Sequence, residues 1–321
     1  MKNKDIAFSA VRITATIMIF LCHICQYYGY FLSWWLNVGV QIFLTLSGYL
    51  YGKKRIEEKK KWLIKQFLKI YIPYILLVSI MIIVYFFLFT DLFDINKFII
   101  HIFCLQGIYG SLPNLYHLWY ITYILVCYML TPIMQKTFKK NYYLSIFLYV
   151  LVVFLLCILS KKLEFLWIIN YIIGYAMGKS DLLYKLTGKK IILMMIIVII
   201  ISWVKIAIQD FNLNSFEAIL CMIYGYFEHI SLGLFLFLLI YYLEKKLHFI
   251  EKLAKFLPIF IIDNLSYEIY LIHQIFILGT FSILMMSKNI ILNYTLLIIV
   301  VFFMAFSLNY LGKKITKFIK I

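Results

Sequence analysis

Two ionisable residues sit in the apolar stretch Arg12 to Gln26, RITATIMIFLCHICQ. His23 follows Arg12 by eleven residues, close to three helical turns. On a helix the two side chains share a face, about 16 Å apart along the axis. Thr16 and Gln26 fall near the same stripe, and Ile13, Ile17 and Ile24 lie on the opposite, apolar face. A charged group at membrane depth is costly and marks a cavity or a partner. A neutral imidazole there has the chemistry of a general base or a nucleophile. An arginine has that of an anion clamp. The sharper reading competes with a bland one, in which Arg12 is paired and His23 is packed in a core.

Other residues offer weaker chemistry. Cys22, His23 and Cys25 invite a metal, but ligands within a turn and a half cannot all face one ion, and no second cluster completes four; no metal is expected. His117, Trp119 and Tyr120 open a later apolar run, where an aromatic belt is the plain reading, above all for Tyr120. In NLSYEIYLIHQIF, Ser266, Tyr270 and His273 fall on one helical face. Glu228 and His229 are neighbours whose side chains point about 100° apart on a helix, so they are not an obvious pair.

The elements that must position these groups are membrane helices. The chain of 321 residues is 65% hydrophobic and 14% charged, against roughly a quarter charged in soluble domains. Its mean hydropathy is +0.95. Apolar runs recur at roughly 8–28, 34–52, 70–90, 116–134, 142–159, 164–178, 191–208, 217–243, 262–286 and 290–311. They predict an all-α polytopic bundle of about ten transmembrane helices, since barrels show ~10-residue alternation instead. The segment 97–113, broken by Gly107, Gly110 and Pro113, is too short to span and is expected to be an outer loop or a half-inserted helix. No second folded region is set apart, so 1–321 reads as one membrane-embedded domain.

The net charge of +17 does not signal nucleic acid, because the lysines cluster between apolar runs. With the N-terminus inside, the segments 53–69, 136–141, 179–190, 244–256 and 313–321 and the N-terminus hold most of the 31 Lys and Arg residues. The outer side holds Lys97, Lys161, Lys162, Lys205 and Lys288. This asymmetry places both termini in the cytoplasm. The first run lacks an A-x-A-like cleavage site and reads as a retained span. The six cysteines lie in apolar stretches and read as free thiols.

The ordered motifs resemble the acyltransferase-3 family of bacterial membrane O-acyltransferases. They are Arg12-x10-His23, IFLTLSGYL with Phe43, Ser47 and Gly48, HLWYITYILVCYMLTP, YIIGYAMGK with Gly174 and Gly178, and SYEIYLIH. Three positions depart from the pattern. Leu44 replaces a second Phe, and QFLKIYIP places Gln66 and Lys69 where the family carries arginines.

The resemblance implies acyl transfer, most often of acetyl, from cytosolic acyl-coenzyme A to a hydroxyl of a cell-envelope, capsular or exopolysaccharide sugar. It implies His23 and Arg12 as the catalytic pair in a plasma-membrane enzyme that works in the lipid bilayer. Acetyl-coenzyme A is a co-substrate, with no tightly bound cofactor. Lys65 and Lys69, with Arg12, are expected to meet the donor. Trp119, Tyr270 and His273 are expected to line the acceptor side, and Ser47 and Gly48 to let the second helix pack closely beside the first. The competing class is a transporter or exporter of a solute or glycan, which would use the same intramembrane groups without an acyl donor. Proton-coupled carriers favour intramembrane acids, and only Glu228 and Glu268 qualify here.

Overall fold

The computed structural model describes residues 5–180, 182–209, 215–255 and 258–319. Of the topology-setting lysines, Lys2, Lys4 and Lys320 lie outside them. The described residues are helical without strands. Ten helices of twelve or more residues follow the apolar runs: α1 Ile6–Tyr27, α2 Gly39–Lys53, α3 Lys59–Leu88, α4 Trp119–Lys140, α5 Tyr142–Ser160, α6 Ile168–Lys179, α7 Gly188–Gln209, α8 Ser215–Leu247, α9 Phe260–Ile277 and α10 Ile290–Phe318. Asn141 and Asn289 cap α5 and α10, accepting from Leu144 N and Leu292 N at 3.0 and 3.1 Å.

Among the described residues, seven helices are long and apolar enough to cross a membrane. The three other expected spans are shorter helices: α2 has 15 residues, α6 has 12 and α9 has 18. Within the last, Asp263 and Glu268 interrupt the apolar run, and beyond it residues 279–285 form single 3-10 turns. The segment between α3 and α4 forms two short helices, Ile95–Ile102 and Gln106–Tyr109. All six cysteines are free thiols.

The chain divides into two compact units, each assembled from separated segments. One comprises the start of α1, α2, the end of α4 and α5 to α8. The other comprises the rest of α1, α3, most of α4, α9 and α10. The first unit is built on backbone contact between α2 and α6. A Cβ on Gly48 would run into the Tyr171 carbonyl, and one on Gly52 into that of Tyr175. A Cβ on Gly174 would meet the Thr45 carbonyl, and one on Gly178 that of Tyr49. Two glycine pairs at i and i+4 thus face each other, the arrangement that lets membrane helices touch without side chains between them. Asn170 ties α6 to both neighbours, donating to Thr45 Oγ1 at 3.3 Å and to the Ile230 carbonyl of α8 at 3.1 Å.

The expectation for Ser47 and Gly48 is corrected in one respect: the backbone that Gly48 admits is that of α6. The glycine sits on the face of α2 turned to α6, while half-buried Ser47 points to a different side. From α1, Phe8 lies against Tyr49, with ring centroids 5.3 Å apart.

In the second unit, Gly312 of α10 packs on the Pro73 ring of α3. Asn309 donates to Glu268 Oε1 at 2.7 Å, and Tyr267 to the Ile70 carbonyl at 2.7 Å. These bonds join α10 and α3 to α9, the helix that carries Tyr270 and His273.

Gly48→Ala and Gly174→Ala should each lower the melting temperature of the detergent-solubilised protein, because backbone atoms cannot yield as side chains do. Overpacking of this kind costs about 1–3 kcal/mol. Ser47→Ala should melt close to the unsubstituted protein.

Candidate active site

Three histidines from three helices meet in the second unit. His23 comes from α1, His117 from the turn that leads into α4, and His273 from α9. Ring centroids are 4.9 Å apart for His23 and His273, 5.5 Å for His117 and His273, and 6.3 Å for His23 and His117. His117 and His273 are 4% and 1% exposed, so they belong to the interior, whereas His23 is only half-buried.

Each ring has one nitrogen on a carbonyl oxygen. A carbonyl only accepts, so that nitrogen carries the hydrogen. His23 Nδ1 donates to Gln26 Oε1 at 2.5 Å. His117 Nε2 donates to the Leu271 carbonyl at 3.0 Å. His273 Nδ1 donates to the carbonyls of Ile269 and Tyr270, both at 2.9 Å. In the neutral ring the opposite nitrogen is then bare: Nε2 of His23, Nδ1 of His117 and Nε2 of His273. Among the described residues, neither His117 Nδ1 nor His273 Nε2 has a hydrogen-bond partner.

His117 is held at both backbone ends by α9. Its amide donates to Gln274 Oε1 at 3.0 Å, and its carbonyl accepts from the Tyr270 hydroxyl. The Tyr270 ring lies 5.5 Å from His117 and 6.1 Å from His273. Phe20 lies 6.1 Å from His273. Tyr120, for which a belt at the membrane interface was the plain reading, instead packs its ring on Tyr270 at 5.4 Å. The Trp119 ring contacts those of Tyr120 and Tyr123.

The loop ahead of His117 is fastened by His101. The Leu112 amide donates to His101 Nε2 at 3.1 Å, so Nδ1 carries the hydrogen and donates to the Tyr74 oxygen at 2.8 Å. The Tyr74 hydroxyl in turn donates to the His101 carbonyl at 2.9 Å. Burial, aided by Lys97, lowers the His101 pKa from 6.5 to about 4.

The remaining candidates stand on other stretches of the chain. Arg12 is half-buried on the part of α1 that belongs to the first unit, and there Ile13 on the other side is buried too. Exposed Ile17 and Leu21 follow it, so α1 is enclosed near its start and open further on. Lys65 and Lys69 are exposed on α3, one turn apart. In the first unit, Glu228 and His229 do meet, at 3.8 Å, and both are buried. Side-chain flexibility closes the gap that helical geometry opens, and Ser202 donates to the same carboxylate at 3.2 Å.

His23, Tyr270 and His273 are thus legible in the sequence only in separate motifs, and His117 reads there as an interfacial residue. The signal for Gln26 was present, since it shares the His23 stripe. His117 gave none, because its partners lie on α9, more than 150 residues away. Among the described residues, no group of three or more His, Cys, Asp or Glu has the geometry to hold a metal ion.

The Acyl_transf_3 family model, described as an acyltransferase domain, matches residues 5–311, nearly the whole chain and both units. Comparison with the curated proteins and with the solved structures returned no match.

The His101 network predicts a pH dependence. The unfolded histidine titrates near 6.5 and the folded one near 4. The unfolded chain takes up the proton first, so the stability is present above pH 6.5 and is lost as pH falls toward 4. Hydrogen exchange at the Leu112 amide, corrected for its intrinsic rate, should be less protected at pH 5 than at pH 7.5. In His101→Gln that difference should vanish.

Proposed function

The chain belongs to the acyltransferase-3 family and is a membrane acyltransferase, and from that premise we propose that it moves an acyl group, most often acetyl, from cytosolic acyl-coenzyme A to a hydroxyl of a cell-envelope glycan. The observation that carries this reading is the state of His23. Its Nδ1 is engaged by Gln26, so Nε2 is free to take a proton.

In the proposed reaction, Nε2 accepts the proton of the acceptor hydroxyl. The oxygen attacks the thioester carbon, the carbon–sulfur bond breaks, and the departing thiolate recovers the proton from the imidazolium. Transfer through an acyl-imidazole would use the same nitrogen. Gln26 holds the tautomer and stabilises the ring when it is charged. Arg12 lies about 16 Å from His23 along α1, by the rise per residue. That distance suits orientation of the donor better than contact with His23. Trp119, Tyr270 and His273 serve the acceptor side.

Lys65 and Lys69 meet the donor phosphates as point charges, lacking the bidentate fork of arginine. In this reading the enzyme crosses a bacterial plasma membrane ten times, and the lysine distribution supports both termini in the cytoplasm. This topology brings a cytosolic donor to the basic face.

His23→Ala should lower the ester content of the surface glycan by ~10²–10⁴-fold while the protein still accumulates in the membrane. His23→Gln, which cannot take the proton, should be equally inactive. Ester content near wild type in either strain would remove His23 from the chemistry and favour a transporter.

The donor reading has its own measurement. Lys65→Ala combined with Lys69→Ala should weaken acetyl-coenzyme A binding at low salt, and the difference should shrink as salt screens exposed charges. Unchanged low-salt affinity would leave these lysines a role in topology alone.

A further inference from the structure

His117 and His273 present a feature that a single general base does not account for. Both are buried, both donate through one nitrogen to a backbone carbonyl of α9, and both keep a bare nitrogen without a partner among the described residues. A buried acceptor left unsatisfied is costly, and a fold retains it where a ligand completes the bond.

Their surroundings define that ligand. It must donate hydrogens, because a bare imidazole nitrogen only accepts. It carries no net positive charge, because the ring neighbours are Phe20 and Tyr270, with no acid among them, and a desolvated cation would stay unpaired. It presents more than one hydroxyl, because the two rings lie 5.5 Å apart and His273 is 4.9 Å from His23. Successive hydroxyls of one sugar ring, each donating outward, can reach acceptors spaced more widely than their own oxygens.

We propose that His117 Nδ1 and His273 Nε2 form an accepting pair that receives the hydroxyls flanking the one deprotonated by His23, so that the enzyme selects a polyol over a simple alcohol. The proposal rests on the acyl-transfer reading and adds His117 as a substrate-binding residue. A lone alcohol would leave two buried nitrogens unsatisfied, which is the strong form of discrimination available to a polar site. The pair moves no proton. It fixes which hydroxyl faces Nε2 of His23.

Side-chain amides separate this role from a structural one. Asn places its amide near the Nδ1 position of histidine, and Gln places it near Nε2. His117 uses Nε2 for the fold and Nδ1 for the ligand, whereas His273 uses them the other way round. His117→Asn and His273→Gln therefore keep the ligand contact. His117→Gln and His273→Asn keep the contact to α9.

The assay uses the full-length protein in detergent, radiolabelled acetyl-coenzyme A, and surface polysaccharide isolated from a strain lacking the protein. Transfer is expressed per molecule of folded protein. His117→Gln and His273→Asn should accumulate better yet transfer at least about tenfold less than His117→Asn and His273→Gln, the factor carried by one lost hydrogen bond. Transfer by the wild type with any other ranking overturns the accepting pair and leaves the acyl-transfer reading intact. Absence of transfer by the wild type overturns the acyl-coenzyme A reading, and the role of the pair with it.

Discussion

The candidate site depends on one constraint: a ring N–H buried in a membrane bundle has to find an acceptor, and here a carbonyl supplies it three times. Gln26 does so for His23, and the backbone of α9 does so for the other two rings. The tautomers are thereby set by the fold. The chemistry follows, because each carbonyl that claims a hydrogen on one side of a ring leaves a lone pair on the other. Helix α9 matters most in this arrangement. It contributes His273, fixes His117 through Gln274, Leu271 and Tyr270, and is held by Asn309 of α10 and the Ile70 carbonyl of α3.

The other elements of the second unit act through this helix or through the loop ahead of α4. The His101 network fastens Leu112, five residues before His117. Gly279, at φ +78°, leaves room for the Asn114 side chain, which accepts from Thr280 N at 3.2 Å. Only a glycine combines that dihedral with that space. The loop is therefore tied to α9 and to the residues just after it.

Much of this was legible in the sequence. Helices stand at all ten apolar runs, because hydrocarbon leaves the backbone few alternatives. The limits of α2, α6 and α9 were less legible. Hydropathy counts apolar residues, and α9 carries two buried acids, Asp263 and Glu268. His23, Tyr270 and His273 were visible as polar residues at helical spacing. His117 was not, since its neighbours Trp119 and Tyr120 read as an interfacial belt and its partners come from a distant helix. The facing glycines of α2 and α6 were each visible alone, but that they face each other is a tertiary fact.

Those facing glycines bear on how the protein is made. Thr45 and Asn170, which hydrogen-bond at the joint, are 125 residues apart in the chain. Helix α2 is therefore made long before α6. Until then its glycine face and its polar residues Gln41 and Thr45, both fully buried at the end, stay uncovered. In membrane proteins contacts between distant segments form late. The first unit thus has an interval in its biogenesis when α2 is made but unclaimed. In that interval an insertion chaperone can shelter it, or a membrane protease can find it.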